Sequence, residues 1–123
     1  MPTPTFIILY VADPSASARF YAGILDRAPV ESSSEFAMFA LDTGTMLGLW
    51  ARDAVKPATD PSTGGAEVGL PADSAAAVDT RHADWAKRGL PILQAPTSMD
   101  FGRTFVASDP DGHRLRVFAP AAK

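Results

Sequence analysis

Few residues in this chain could do chemistry, and most of them crowd into SDPDGHRLRVF, Ser108 to Phe118. His113 is a candidate general base, since imidazole changes charge near neutral pH. It follows a turn, however, and is expected at the surface. The other histidine, His82, shares a helix face with Val78 and Trp85 and is expected to pack against them. Neither has a second histidine, a cysteine or a matched carboxylate at a spacing that supplies a partner, so no triad can be assembled. Asp109 and Asp111 belong to the turn Asp109-Pro110-Asp111-Gly112; a calcium loop would need many more oxygen ligands. Gly64-Gly65 lacks the lysine and following helix of a phosphate-binding loop. The chain contains no cysteine, which excludes disulfides, thiolate metal sites and a thiol nucleophile. No catalytic residue is expected. Arg116 is the exception worth following: it sits on a strand, facing away from Leu115 and Val117, and a guanidinium there must point into something.

The elements that would position it are those of one modest domain. The chain has 123 residues, 46% hydrophobic and 20% charged, with a formal net charge of −3. That balance leaves no electrostatic footprint for nucleic acid. The early apolar run FIILYVA is too short to span a membrane, and no basic residue precedes it as in a signal peptide. A cytoplasmic location is expected.

Along the chain, TFIILYVA reads as a buried strand. Asp13-Pro14 is a helix start, with an N-cap acceptor followed by proline at the first helical position. The helix is expected to run to about Leu25, with Phe20, Tyr21 and Ile24 on its packed face. Strands over Pro29 to Ser33, Phe36 to Leu41 and Met46 to Ala51 follow. A linker over Arg52 to Gly65 is dense in Pro, Gly, Ser and Thr. The same order then recurs: a strand at Ala66 to Leu70, then a helix capped by Asp73 or Ser74 and ending at Gly89. Strands over Pro91 to Ala95, Arg103 to Ser108 and Arg114 to Ala119 complete it. DTGTMLGLWA in the first half matches PDGHRLRVFA in the second, pairing Gly44 with Gly112, Leu47 with Leu115 and Trp50 with Phe118; Asp13 pairs with Asp73. A repeat of about 60 residues is a duplicated module rather than a solenoid unit.

VADPSASARFYAGIL, the duplicated β-α-β-β-β plan and the closing DPDGHRLRVF resemble the vicinal oxygen chelate superfamily. This superfamily includes glyoxalase I, extradiol dioxygenases, fosfomycin-resistance enzymes and bleomycin-binding proteins. The resemblance covers nearly the whole chain. It implies an α+β fold in a single domain over residues 1–123, with modules at about 4–51 and 66–120 whose mixed sheets curl around a cleft, usually in a homodimer. In enzyme members a metal is held by a His or Gln seven residues before the helix-capping Asp and a Glu four after the turn Gly of a module's last strand. Carried over, these positions are Phe6, Ala66, Gly48 and Arg116, none of which ligates a metal in the usual way. A one-residue shift at Ala66 would bring in Glu67 and flip the strand's face. A lone carboxylate facing Arg116 would make an ion pair rather than a metal site.

Period-two alternation places Phe6, Ile8, Tyr10, Met46, Gly48 and Trp50 on the cleft side of the first module, with Val68, Leu70, Arg116 and Phe118 on the second. Phe36 and Met38 are put with the first group, although their strand is apolar on both faces. Apolar walls with a few placed polar groups describe a small-molecule site. Trp50, Tyr10 and Phe6 can stack on a planar ligand, Gly48 leaves room for it, and Arg116 can hold a planar anion. The expected function is therefore sequestration of an apolar, aromatic small molecule without metal or other cofactor, as the bleomycin-binding relatives imply. The alternatives are a glyoxalase-like or dioxygenase-like metalloenzyme with displaced ligands, and a structural dimer whose cleft is filled by its own side chains.

Overall fold

A computed structural model describes residues 6–58 and 66–120; residues 59–65 of the expected linker lie outside the described residues. The chain divides into two compact units, residues 1–62 and 63–123.

In the first unit β1 (Phe6–Val11) is followed by α1 (Pro14–Leu25), β2 (Glu31–Ser32), β3 (Phe36–Ala40) and β4 (Met46–Ala51). A single 3-10 turn at Arg52–Ala54 leads out of β4 into the linker. The sheet order is β1-β4-β3-β2, with β1 parallel to β4 and the remaining pairs antiparallel. The expected cap of α1 is present: Asp13 Oδ1 accepts from Ser15 N at 3.0 Å and Ala16 N at 3.4 Å, satisfying amides the helix leaves open. The helix ends on Asp26 in the left-handed region at φ 54°, a position the sequence did not mark because glycine usually fills it. Its buried stripe is Pro14, Ser17, Ala18 and Tyr21, narrower than expected; Phe20 and Ile24 are only partly covered. Small residues at 17 and 18 let the helix approach the sheet, and the Phe20 ring meets Tyr21 edge-on at 5.1 Å instead of entering the core. Beneath it lie Ala37, Phe39, Leu47, Leu49 and Val11, all buried.

The second unit repeats this plan with β5 (Glu67–Pro71), α2 (Ala75–Lys87), β6 (Ile92–Met99), β7 (Gly102–Ser108) and β8 (Arg114–Pro120). Its sheet order, β5-β8-β7-β6, is that of the first unit element for element. The paired glycines of the sequence repeat also agree, since Gly44 and Gly112 both end their turns at φ 89°. The core forms where α2 meets β7 and β8: the Phe105 ring stands edge-on to Trp85 and to His82, each at 5.4 Å, over buried Leu115, Val117 and Val78. His82 thus packs, as expected. Removing the Phe105 ring would cost about 3–5 kcal/mol.

One correction sets the register of the second unit. Ser74, not Asp73, caps α2, its Oγ accepting from Ala77 N at 3.0 Å. The residue matching Asp13 is therefore Ser74, and the residue matching Phe6 is Glu67, not Ala66. Strand pairing says the same: Glu67 aligns with Arg114 and Gly69 with Arg116, while Val68 aligns with Leu115 and Leu70 with Val117. Leu115 and Val117 face the helix, so Val68 and Leu70 do too, and their expected place beside Arg116 is wrong. A one-residue slip moves every side chain of a strand to its other face.

Candidate functional site

The uncovered face of the first sheet gathers eight of the residues singled out from the sequence. Phe6, Ile8 and Tyr10 align with Met46, Gly48 and Trp50 across β1 and β4, and Phe36 and Met38 align with Trp50 and Gly48 across β3 and β4. All of these side chains share the face away from Ala37, Phe39, Leu47 and Leu49. Both Phe36 and Met38 thus fall on this face. Four rings form a run: Phe6 to Phe36 at 6.4 Å, Phe36 to Trp50 at 6.5 Å and Trp50 to Tyr10 at 6.4 Å, the last two edge-on. Phe6, Ile8 and Tyr10 each keep about two-fifths of their surface exposed, at 42%, 42% and 41%. A row of exposed apolar groups on one face is unusual for a surface strand and marks a place for something apolar to rest.

Gly48 has a different role from the one expected. A Cβ built there would come within 2.8 Å of Phe6 Cε1 and 2.9 Å of Phe36 Cζ. The space above this glycine belongs to the two phenyl rings rather than to a ligand, and the glycine is what lets them lie down on β4.

On the second unit the uncovered face is polar at its centre. Arg116 Nε donates to Glu67 Oε1 at 2.6 Å, and Nη1 donates to Thr104 Oγ1 at 3.2 Å and Gln94 Oε1 at 3.5 Å. Thr104 can accept because its own proton goes to Val117 O at 2.8 Å. The Phe101 ring, from the β6–β7 turn, has its centroid 5.9 Å from Arg116 Cζ, within cation–π range. Phe118 lies two residues along β8 on the same face, beside Thr104 and Pro71. Arg116 and Phe118 share the strand face that alternation assigns them, whereas Gln94, Thr104 and Phe101 were not foreseen. For Thr104 a signal existed: it directly opposes Phe118 in the hairpin of β7 and β8.

The geometry tests the metal positions that the resemblance implies. Phe6 and Gly48 carry no donor. Glu67, which takes the place expected for Ala66, is engaged by the guanidinium of Arg116. A divalent ion needs several converging donors and would be repelled by that fixed charge, so these four residues do not fit a metal.

His113 is not the surface residue expected. Its side chain is 15% exposed, and Nδ1 lies 2.8 Å from Oδ2 of Asp109, whose side chain is fully buried. Asp109 Oδ1 also accepts from Asp111 N at 2.9 Å and His113 N at 2.8 Å. Asp109, Asp111 and His113 have donor atoms within 4.8 Å of one another. Both oxygens of Asp109 are already committed to the turn, so the cluster reads as a device that holds the loop before β8. A groove of about 270 Å³ lies elsewhere on the first unit, along α1 between Ser15, Arg19 and Pro29. It contains none of the aromatic residues.

The Glyoxalase/Bleomycin resistance protein/Dioxygenase superfamily model matches residues 4–117. The chain belongs to this superfamily. It is 29% identical over 118 residues to the phenazine antibiotic resistance protein EhpR of Enterobacter agglomerans, covering 94% of this chain and 90% of that one. The solution NMR structure of protein ATC0852 from Agrobacterium tumefaciens is 47% identical and superposes with a TM-score of 0.90, covering 99% of this chain and 100% of that one. A glyoxalase-related enzyme from Fulvimarina pelagi, at 22% identity and a TM-score of 0.84 over 97% of this chain and 88% of its own, shares the fold. No helix among the described residues is long and apolar enough to cross a membrane.

Proposed function

We propose that this superfamily member binds a planar aromatic small molecule without metal and without transforming it, so that it acts by sequestration. The observation that carries the reading is the run Phe6–Phe36–Trp50–Tyr10 on one uncovered sheet face, beside Ile8 and Met46. Offset and edge-on rings of this kind accept a flat ligand through its faces and edges. The resemblance to a phenazine antibiotic resistance protein supports a flat, fused-ring ligand. The metalloenzyme alternative is weaker, because Glu67, the single carboxylate at the implied ligand positions, is held by Arg116.

A homodimer in the cytoplasm belongs to the same proposal. β1 is an edge strand, and Phe6, Ile7, Ile8 and Tyr10 along it are exposed. A long apolar edge left uncovered invites uncontrolled pairing, and a second copy of the chain would cover it.

Calorimetric titration of the full chain with phenazine is the test. Saturable binding with one site per chain or per dimer, unaffected by chelators, is expected. No binding of phenazine or of other fused tricyclic compounds, together with retained stoichiometric metal, would replace sequestration by metal-dependent catalysis.

A further inference from the structure

The polar cluster on the second unit is organised around a guanidinium with one nitrogen to spare. Nε and Nη1 of Arg116 are engaged by Glu67, Thr104 and Gln94, whereas Nη2 makes no hydrogen bond to any described residue. The side chain is only 22% exposed, so it does not reach out into bulk water as a surface arginine does. Three polar partners and the Phe101 ring fix the plane of the head group. A ligand that meets Nη2 therefore finds donors already oriented, with little ordering left to be done on binding.

We propose that Arg116 is a carboxylate-binding residue, Nη2 donating to one acidic group of the ligand while Phe101 and Phe118 flank the ring that carries it. The inference rests on the reading of the chain as a small-molecule binder and narrows the ligand to an aromatic carboxylic acid. Charge selects the carboxylate over a phosphate. Glu67 already neutralises much of the guanidinium at 2.6 Å, so the site matches a monoanion, and a dianion would meet the Glu67 carboxylate at close range. The guanidinium stands at the position from which relatives would present a glutamate to a metal, and it supplies a fixed positive charge there instead.

Titration of the full chain with two probes, phenazine and phenazine-1-carboxylate, tests this. The carboxylate should bind more tightly by about tenfold, the factor that one added charge-assisted hydrogen bond supplies. Arg116→Met should abolish that preference. Glu67→Gln should increase the preference, because it removes the anion competing for the guanidinium; a purely structural pair would not move it in that direction. A folded Arg116→Met that still prefers the carboxylate overturns the inference and leaves the binding reading standing. If Arg116→Met does not fold, an unchanged preference in Glu67→Gln overturns it equally. Should neither phenazine bind, the fused-ring ligand is ruled out, and benzoate decides the inference alone. Benzoate-dependent NMR shifts of the Gln94 side-chain amide and the Phe101 ring then support it, and their absence overturns it.

Discussion

Arg116 and Glu67 are joined diagonally across two parallel strands, Nε to Oε1 at 2.6 Å, with Gly69 rather than Glu67 standing directly beside the arginine. The pair is partly exposed, at 22% and 37% of the two side chains, so solvent screens it. Arg116→Met is expected to lower unfolding free energy by about 1 kcal/mol, far less than the loss of a fully buried pair. Urea unfolding measures it. A loss above roughly 3 kcal/mol would mean that something buries the pair in solution.

Trp50 is the ring at the junction of the aromatic run, edge-on to both Phe36 and Tyr10. Trp50→Ala should weaken binding of a flat fused-ring compound by about 1–3 kcal/mol while the fold persists. The two tryptophans make this readable by fluorescence. Trp85 is buried on the inner face of α2 against Phe105 and should not respond to ligand, so quenching that survives in Trp50→Ala would locate the ligand elsewhere.

Asp109 holds its loop through two backbone amides and His113. Asp109→Ala leaves partly buried donors without acceptors and should cost about 1–3 kcal/mol. His113→Ala should cost less, since the backbone bonds remain. Thermal melts of the two variants, with and without added zinc, compare them. A large zinc-induced rise in the wild-type melting temperature, lost in both variants, would show that the cluster binds metal.

The exposed apolar edge at β1 leads to an expected mass of two chains in light scattering at micromolar concentration. Ile8→Lys, which places a charge in the middle of that edge, should shift the mass toward one chain. A monomeric wild type would count against pairing through β1.

The plan of the fold was legible because its signals are local. Asp13-Pro14 marks a helix start, Gly44 and Gly112 mark tight turns, and alternation from Phe6 to Tyr10 separates two faces. The aromatic face followed from that alternation. The polar cluster followed only in part, because adjacent Asp73 and Ser74 are both good caps and the choice between them shifts β5 by one residue. That choice put Ala66 and Val68 where Glu67 and Gly69 stand. Gln94 was beyond sequence reasoning for another reason: the pairing of β6 with β7 slips on both sides of it, so counting residues does not reveal its face. The turn before β8 concealed His113 in the same way, since proline, glycine and two aspartates look solvent-exposed, whereas Asp109 folds inward.

Each unit closes its core on its own helix, Tyr21 over Phe39 and Leu49 in one and Trp85 over Phe105 and Val117 in the other. The opposite faces take little part in that closure. Apart from Gly48 and Thr104, residues there are consequently free to change without endangering the fold, and a scan of variants at Ile8, Met46 and Phe118 should yield many soluble proteins that differ in what they bind. The scaffold carries mutational latitude on one side of each sheet and almost none on the other, so new ligand preferences could evolve through substitutions that selection on stability would scarcely notice.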